Sequence, residues 1–126
     1  MKKLFLSLML LLPMIVAAEE GVIFTVVEKM PEFPGGRDSL ISYLSENVKY
    51  PAIAQENGIQ GRVTCQFIIE TDGSITDVEV VRSGGDPSLD KEAVRVIKAM
   101  PNFIPGKRKG KPVRVRFTMP INFSLQ

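Results

Sequence analysis

Hydrophobic residues recur at every second position in three stretches of the chain and at every third or fourth in two others. In RVTCQFIIE, Val63, Cys65, Phe67 and Ile69 point one way, and Thr64, Gln66 and Glu70 point the other. That is the two-residue period of a half-buried strand. ITDVEVVR repeats it, with Val78 and Val80 on one face, and the intervening TDGS carries Asp-Gly, a strong hairpin signal. PVRVRFTMPINFSLQ reads as a last strand, with Val113, Val115, Phe117 and Met119 facing in and Arg114 and Arg116 facing out.

The helical spacing falls in RDSLISYLSENV, through Leu40, Tyr43, Leu44 and Val48, with Asp38 near the positive end of the helix dipole. It is clearest in DPSLDKEAVRVIKAMP. Asp86 suits the cap and Pro87 the first turn. Leu89, Ala93, Val96, Ile97 and Met100 form an apolar stripe opposite Asp90, Lys91, Arg95 and Lys98. Between these elements YPAIAQENGIQGRV predicts a short helix. Pro51 takes its first position, Asn57-Gly58 stops it, and Gly61 launches the next strand. VIFTVV, Val22 to Val27, reads as a short strand, EKMPEFPGG as an irregular connector and NFIPGKRKGK as a basic loop.

The order hairpin, helix, strand constrains topology. A right-handed crossover makes the second and third strands parallel, and the hairpin makes the first and second antiparallel. The expected fold is α+β. A small mixed three-stranded sheet of order 2-1-3 carries helices on one face, with a short N-terminal strand and helix in addition. The last strand then lies at an edge, which Pro120 tolerates.

The first eighteen residues, MKKLFLSLMLLLPMIVAA, have a basic start, an apolar run from Leu4 to Val16 and small residues at Val16-Ala17-Ala18. This is the pattern of a secretory signal peptide, and the run is shorter than the roughly 20 residues of a bilayer span. The expected organisation is a signal at 1–18, a strand and Pro/Gly connector at 19–36, and one domain at 37–126. Lys and Arg together number 16 against 14 Asp and Glu, so the two signs balance once Lys2 and Lys3 are set aside. The basic balance is thus no argument for nucleic acid. It is concentrated instead in Lys107, Arg108, Lys109, Lys111, Arg114 and Arg116, a stretch with no acid and no interleaved aromatics.

Candidate chemistry is sparse. The chain has no histidine, the commonest general base and metal ligand, and a single cysteine. Cys65 sits on an inward face with no base to activate it. Asp72 belongs to a turn, and Asp77 and Glu79 to the solvent face of a strand. Gly35-Gly36 and Gly84-Gly85 lack the lysine and spacing of a phosphate cradle. Asn122-Phe123-Ser124 matches a glycosylation sequon by chance. No catalytic residue, cofactor or metal is expected.

YPAIAQENGIQGRV, TDGSITDVEVVRSGG, LDKEAV and PNFIPGKRKGKPV together resemble the C-terminal domain of the TonB family, over roughly Tyr50 to Leu125, and VVEKMPEFPGG resembles the extension of its Bacteroidetes versions. The resemblance implies a domain that is not an enzyme and that binds the TonB box, a short extended segment of an outer-membrane transporter, by strand addition. The docking edge it implies is Val113, Arg114, Val115, Arg116, Phe117, Thr118, Met119 and Pro120, flanked by Asn47, Val48, Lys49 and Tyr50. It also implies a periplasmic location, an inner-membrane motor complex as a further partner, and a homodimer through the same edge. A family member that transmits force carries a membrane helix and a long proline-rich spacer. Residues 19–36 reach at most about 60 Å fully extended. The expectation is therefore a periplasmic binding module. The alternatives are a short transducer anchored by an uncleaved Leu4–Ala18 and a cell-wall-binding module acting through Lys107, Arg108, Lys109 and Lys111.

Overall fold

The computed structural model describes residues 21–125, so the signal-peptide reading of 1–18 lies outside the described residues. The elements are β1 (Ile23–Phe24), α1 (Arg37–Asn47), α2 (Ala52–Glu56), β2 (Gly61–Ile69), β3 (Ile75–Arg82), α3 (Pro87–Lys98), β4 (Gly106–Arg108) and β5 (Lys111–Phe123). The sheet runs β1-β5-β2-β3, with β4 paired to β5. As the crossover argument requires, β2 is central and antiparallel to both β3 and β5.

The two-residue period of β2 decides what is buried. Val63, Cys65, Phe67 and Ile69 are fully buried, and from β5 Met119, Ile121 and Phe123 join them. α3 closes the core with Leu89, Ala93, Val96 and Ile97, all at 0% exposure, and Met100 follows. Burying each of the Val, Leu, Ile, Phe and Met side chains among these contributes about 1.5–3 kcal/mol. The predicted start of α3 holds: Asp86 caps it by accepting from the Ser88 N–H, and Pro87 is in the first turn. α1 is held by its partly buried Leu40, Tyr43 and Leu44, and the Tyr43 hydroxyl donates to the Val96 carbonyl at 3.0 Å.

Three local expectations are corrected. Pro51 is the cap of α2 rather than its first helical residue, because it keeps an extended ψ of 133°. Gly58 does supply the left-handed stop, at φ 67°. The strand expected at 22–27 is only Ile23–Phe24, pairing parallel with Arg114–Val115; beyond it Thr25 and Val26 are exposed while Val27 is buried. The basic loop is a hairpin: Gly106, Lys107 and Arg108 pair with Val113, Pro112 and Lys111 around Lys109 and Gly110, whose φ values are 53° and 78°. Two positive φ values in a two-residue loop match the twist of the flanking strands. Finally, β3 is bulged twice against β2, and Asp77, at φ 53°, sits at the second bulge.

The N-terminal segment also joins the sheet system. Lys29 and Lys107 exchange backbone bonds of 3.3 and 2.8 Å, and Glu32 and Ile104 exchange bonds of 3.0 and 2.8 Å. The run expected to be a connector is therefore pinned to β4.

Candidate functional site: the outer edge of β5

The last strand is an edge over only part of its length. Lys111–Val113 pair with β4 and Arg114–Val115 with β1. From Arg116 to Phe123 its one strand partner among the described residues is β2. The expectation that Val113 to Pro120 is open is corrected accordingly, because β4 covers Val113 and the chain's own N-terminal strand covers Arg114 and Val115.

Pro120 fixes which backbone groups face outward. It lies opposite Thr64 in a ladder that continues on both sides, through Val63–Ile121 and Cys65–Met119. Proline has no N–H, so Thr64–Pro120 is the non-hydrogen-bonded kind of antiparallel pair. Alternation then has Val115, Phe117 and Met119 bonding to β2. The backbone groups of Arg116, Thr118 and Asn122, and the Pro120 carbonyl, point away from it.

The face of the sheet opposite the helices carries polar pairs between β2 and β5. Arg62 donates to Asn122 at 2.9 Å, and Gln66 to Thr118 at 3.2 Å. Arg114 donates to Glu70 at 2.7 Å, and Thr76 adds a 2.5 Å bond to the same carboxylate. The Arg114 guanidinium, first, holds Glu70 below the usual carboxylate range against its partial desolvation. Arg116 breaks the series. It is half-buried opposite Ile68, which is 4% exposed, and its guanidinium has no hydrogen-bond or ion-pair partner among the described residues. Arg116 lines a shallow groove with Thr25, Met30, Gln66, Phe117 and Thr118.

The basic hairpin stands at the β1 end of this edge. Arg108 lies over the Phe24 ring at 5.4 Å from its centroid. Lys109 and Lys111 are exposed, and Lys107 is half-exposed and tied through its backbone to Lys29.

The flanking residues behave differently. Tyr50 reaches β5 only at its far end, where its ring meets Phe123 edge-on at 5.6 Å, and its hydroxyl donates to the Ile59 carbonyl. Asn47 and Lys49 are drawn to α3: the Asn47 carbonyl accepts from Arg95 at 2.8 Å, and the Lys49 N–H donates to Glu92 at 2.7 Å. Arg95 in turn grips Glu92 and lowers its pKa. Val48 packs against the core. Sequence reasoning missed Thr25, Met30 and Gln66 at the groove. The β-branched run VIFTVV signalled a strand, but nothing in it said which strand it would join.

Among the described residues no group of three or more potential ligands could hold a metal ion, and no helix is long and apolar enough to cross a membrane.

A family model for the Gram-negative bacterial TonB protein C-terminal matches residues 46–125. Protein TonB of Helicobacter pylori is 37% identical over 84 residues, covering 66% of this chain and 28% of that protein. Protein tonB2 of Pseudomonas aeruginosa is 34% identical over 77 residues, covering 61% of this chain and 28% of that protein. The chain thus spans just over a quarter of these relatives. Among solved structures, the solution structure of the H. pylori TonB C-terminal domain is 31% identical, with a TM-score of 0.54 over 71% of this chain and 92% of that one. That of P. aeruginosa is 33% identical, with a TM-score of 0.52 over 62% and 78%.

Proposed function

The chain belongs to the Gram-negative bacterial TonB protein C-terminal family, and from that premise we propose that it is a periplasmic protein-binding module that takes the TonB box of an outer-membrane transporter as an added strand on β5. The observation that carries this reading is the outer edge from Thr118 to Phe123, which has outward backbone donors and acceptors and, among the described residues, no strand beside it. Such an edge is a template for another chain. Its role is to hold a transporter segment within TonB-dependent energy transduction and transmembrane transport. The pulling itself belongs to an inner-membrane motor complex, so the domain needs no catalytic group of its own.

The energetics suit a reversible contact. Four to six backbone bonds contribute about 0.5–1.5 kcal/mol each, whereas a micromolar complex needs about 8 kcal/mol beyond the cost of association. Side chains along the edge must supply the rest. A photo-crosslinker at Thr118 should capture a transporter plug segment in cells, while one at Ile53, on the far surface of α2, should not. Capture at Ile53 alone would refute the edge.

The same edge favours a second occupant. Two copies could pair β5 to β5, so a homodimer and a docked segment would compete, and excess TonB-box peptide should shift a dimer toward monomer in sedimentation.

A further inference from the structure

We infer that Arg116 is a specificity residue of the docking edge, reading a carboxylate on the partner strand at the end nearest β1. The inference rests on the strand-addition reading and deepens it. Four observations converge on it. Arg62, Gln66 and Arg114 each have a partner across the β2–β5 ladder, whereas the Arg116 guanidinium has none among the described residues. Its cross-strand neighbour is Ile68, which cannot accept a hydrogen bond. It is half-buried in a groove that opens where β1 ends, walled by Thr25, Met30 and Gln66. The exposed Lys109, on the turn that links β4 to β5, and Lys111, the first residue of β5, add positive potential to that end of β5.

The geometry defines what fits. Side chains of neighbouring strands stand about 5 Å apart on one face, and diagonal neighbours about 7–8 Å, within reach of a long arginine. A strand added beside Thr118 therefore presents one side chain to Arg116 on the face opposite the helices. An aspartate or glutamate there would complete the polar series, as Glu70 does for Arg114. A guanidinium binds a carboxylate through paired donors, and such charge-assisted bonds exceed neutral ones. An apolar residue would leave the cation uncompensated in a narrower groove. The partner segment is thus one that carries an acid at the position facing Arg116.

The test uses the purified protein and fluorescent nine-residue peptides of alternating Val and Thr, each with one Glu moved along the sequence and each matched by a Gln version. On the unaltered protein, Glu at one terminal position should bind about tenfold more tightly than Gln. In Arg116→Met that preference should vanish, Arg116→Lys should restore part of it, and Lys111→Met should weaken all peptides alike in a salt-dependent way. A Glu preference that survives Arg116→Met would overturn the assignment while leaving strand addition intact. If no peptide perturbs the amides of Thr118 and Asn122, strand addition falls, and this assignment with it.

Discussion

Pro120 lies directly opposite Thr64, and the β2–β5 ladder runs past both without a break from Gly61–Phe123 to Ile69–Val115. A residue with no N–H leaves the ladder whole only where no bond to β2 is required. That one pair sets the outward or inward sense of every backbone group on β5, and so says where the edge can be tested cleanly.

Thr118 has an outward N–H, so Thr118→Pro should remove a donor from the docking edge without touching the bonds to β2. One lost bond of about 0.5–1.5 kcal/mol corresponds to roughly a two- to tenfold loss of affinity for a TonB-box peptide. Thr118→Val keeps the N–H and loses only the hydroxyl that accepts from Gln66, so its affinity should stay near that of the parent. Fluorescence titration separates the two. Equal affinity of Thr118→Pro and Thr118→Val in folded protein would exclude this edge. Val115→Pro should instead damage the fold, because Val115 is fully buried and bonds to β2.

The Glu70–Arg114 pair should make stability sensitive to acid. Glu70 titrates below the ordinary carboxylate value near 4.3, chiefly because Arg114 bonds its charged form. A carboxylate with a lowered folded pKa stabilises the fold above the unfolded pKa, and that contribution disappears as pH falls through the folded value. Glu92, bound by Arg95 and the Lys49 N–H, acts in the same direction. Melting temperature should therefore be flat from pH 8 to about 5 and fall below it. Glu70→Gln should cost about 1 kcal/mol at pH 7 and flatten part of the acid limb. A parallel acid limb in Glu70→Gln would show that the pair is not the source.

Much of this architecture was readable from periodicity, and the reasons are local. The stripe of Leu89, Ala93, Val96 and Ile97 has one way to be buried, and the Asp86-Pro87 start admits one helix register. β2 alternates cleanly, so its central place followed from connection rules. The parts that escaped depend on partners distant in sequence. Val22 to Val27 is β-branched along most of its length, yet only Ile23 and Phe24 find an unoccupied stretch of β5. The basic stretch becomes a hairpin because Lys109 and Gly110 accept positive φ, a choice that Lys109 does not advertise. At the site, Pro120 disclosed the edge, but the groove beside Arg116 is built from Thr25, which pattern reasoning placed in a strand without a named partner, and Met30, which it placed in a connector.

Cys65 should be inert in the folded protein. Its side chain is fully buried in the core, and burial first, with the Asp90 charge second, raises its thiol pKa. Thiolate is the reacting species, so a native sample should label with a chromogenic disulfide only as fast as the domain opens. The labelling rate should rise with urea in step with global unfolding. Rapid stoichiometric labelling without denaturant would contradict the packing of β2 against α3.

Tyr50 should prove a brace for the end of β5 more than a polar contact for a partner. Its hydroxyl is already committed to the Ile59 carbonyl, and its ring stands edge-on to Phe123. Tyr50→Phe keeps the ring and loses one hydrogen bond, so stability should drop by about 1 kcal/mol with little change in peptide affinity. Tyr50→Ala removes the ring contact as well and opens a cavity beside Phe123, at about 3 kcal/mol or more. Affinity should then fall too, because the outward groups at Asn122 depend on a fixed Phe123. Urea melts and peptide titration on both variants separate the two roles. A Tyr50→Phe protein of unchanged stability but lost affinity would mean that the hydroxyl leaves Ile59 to serve the partner.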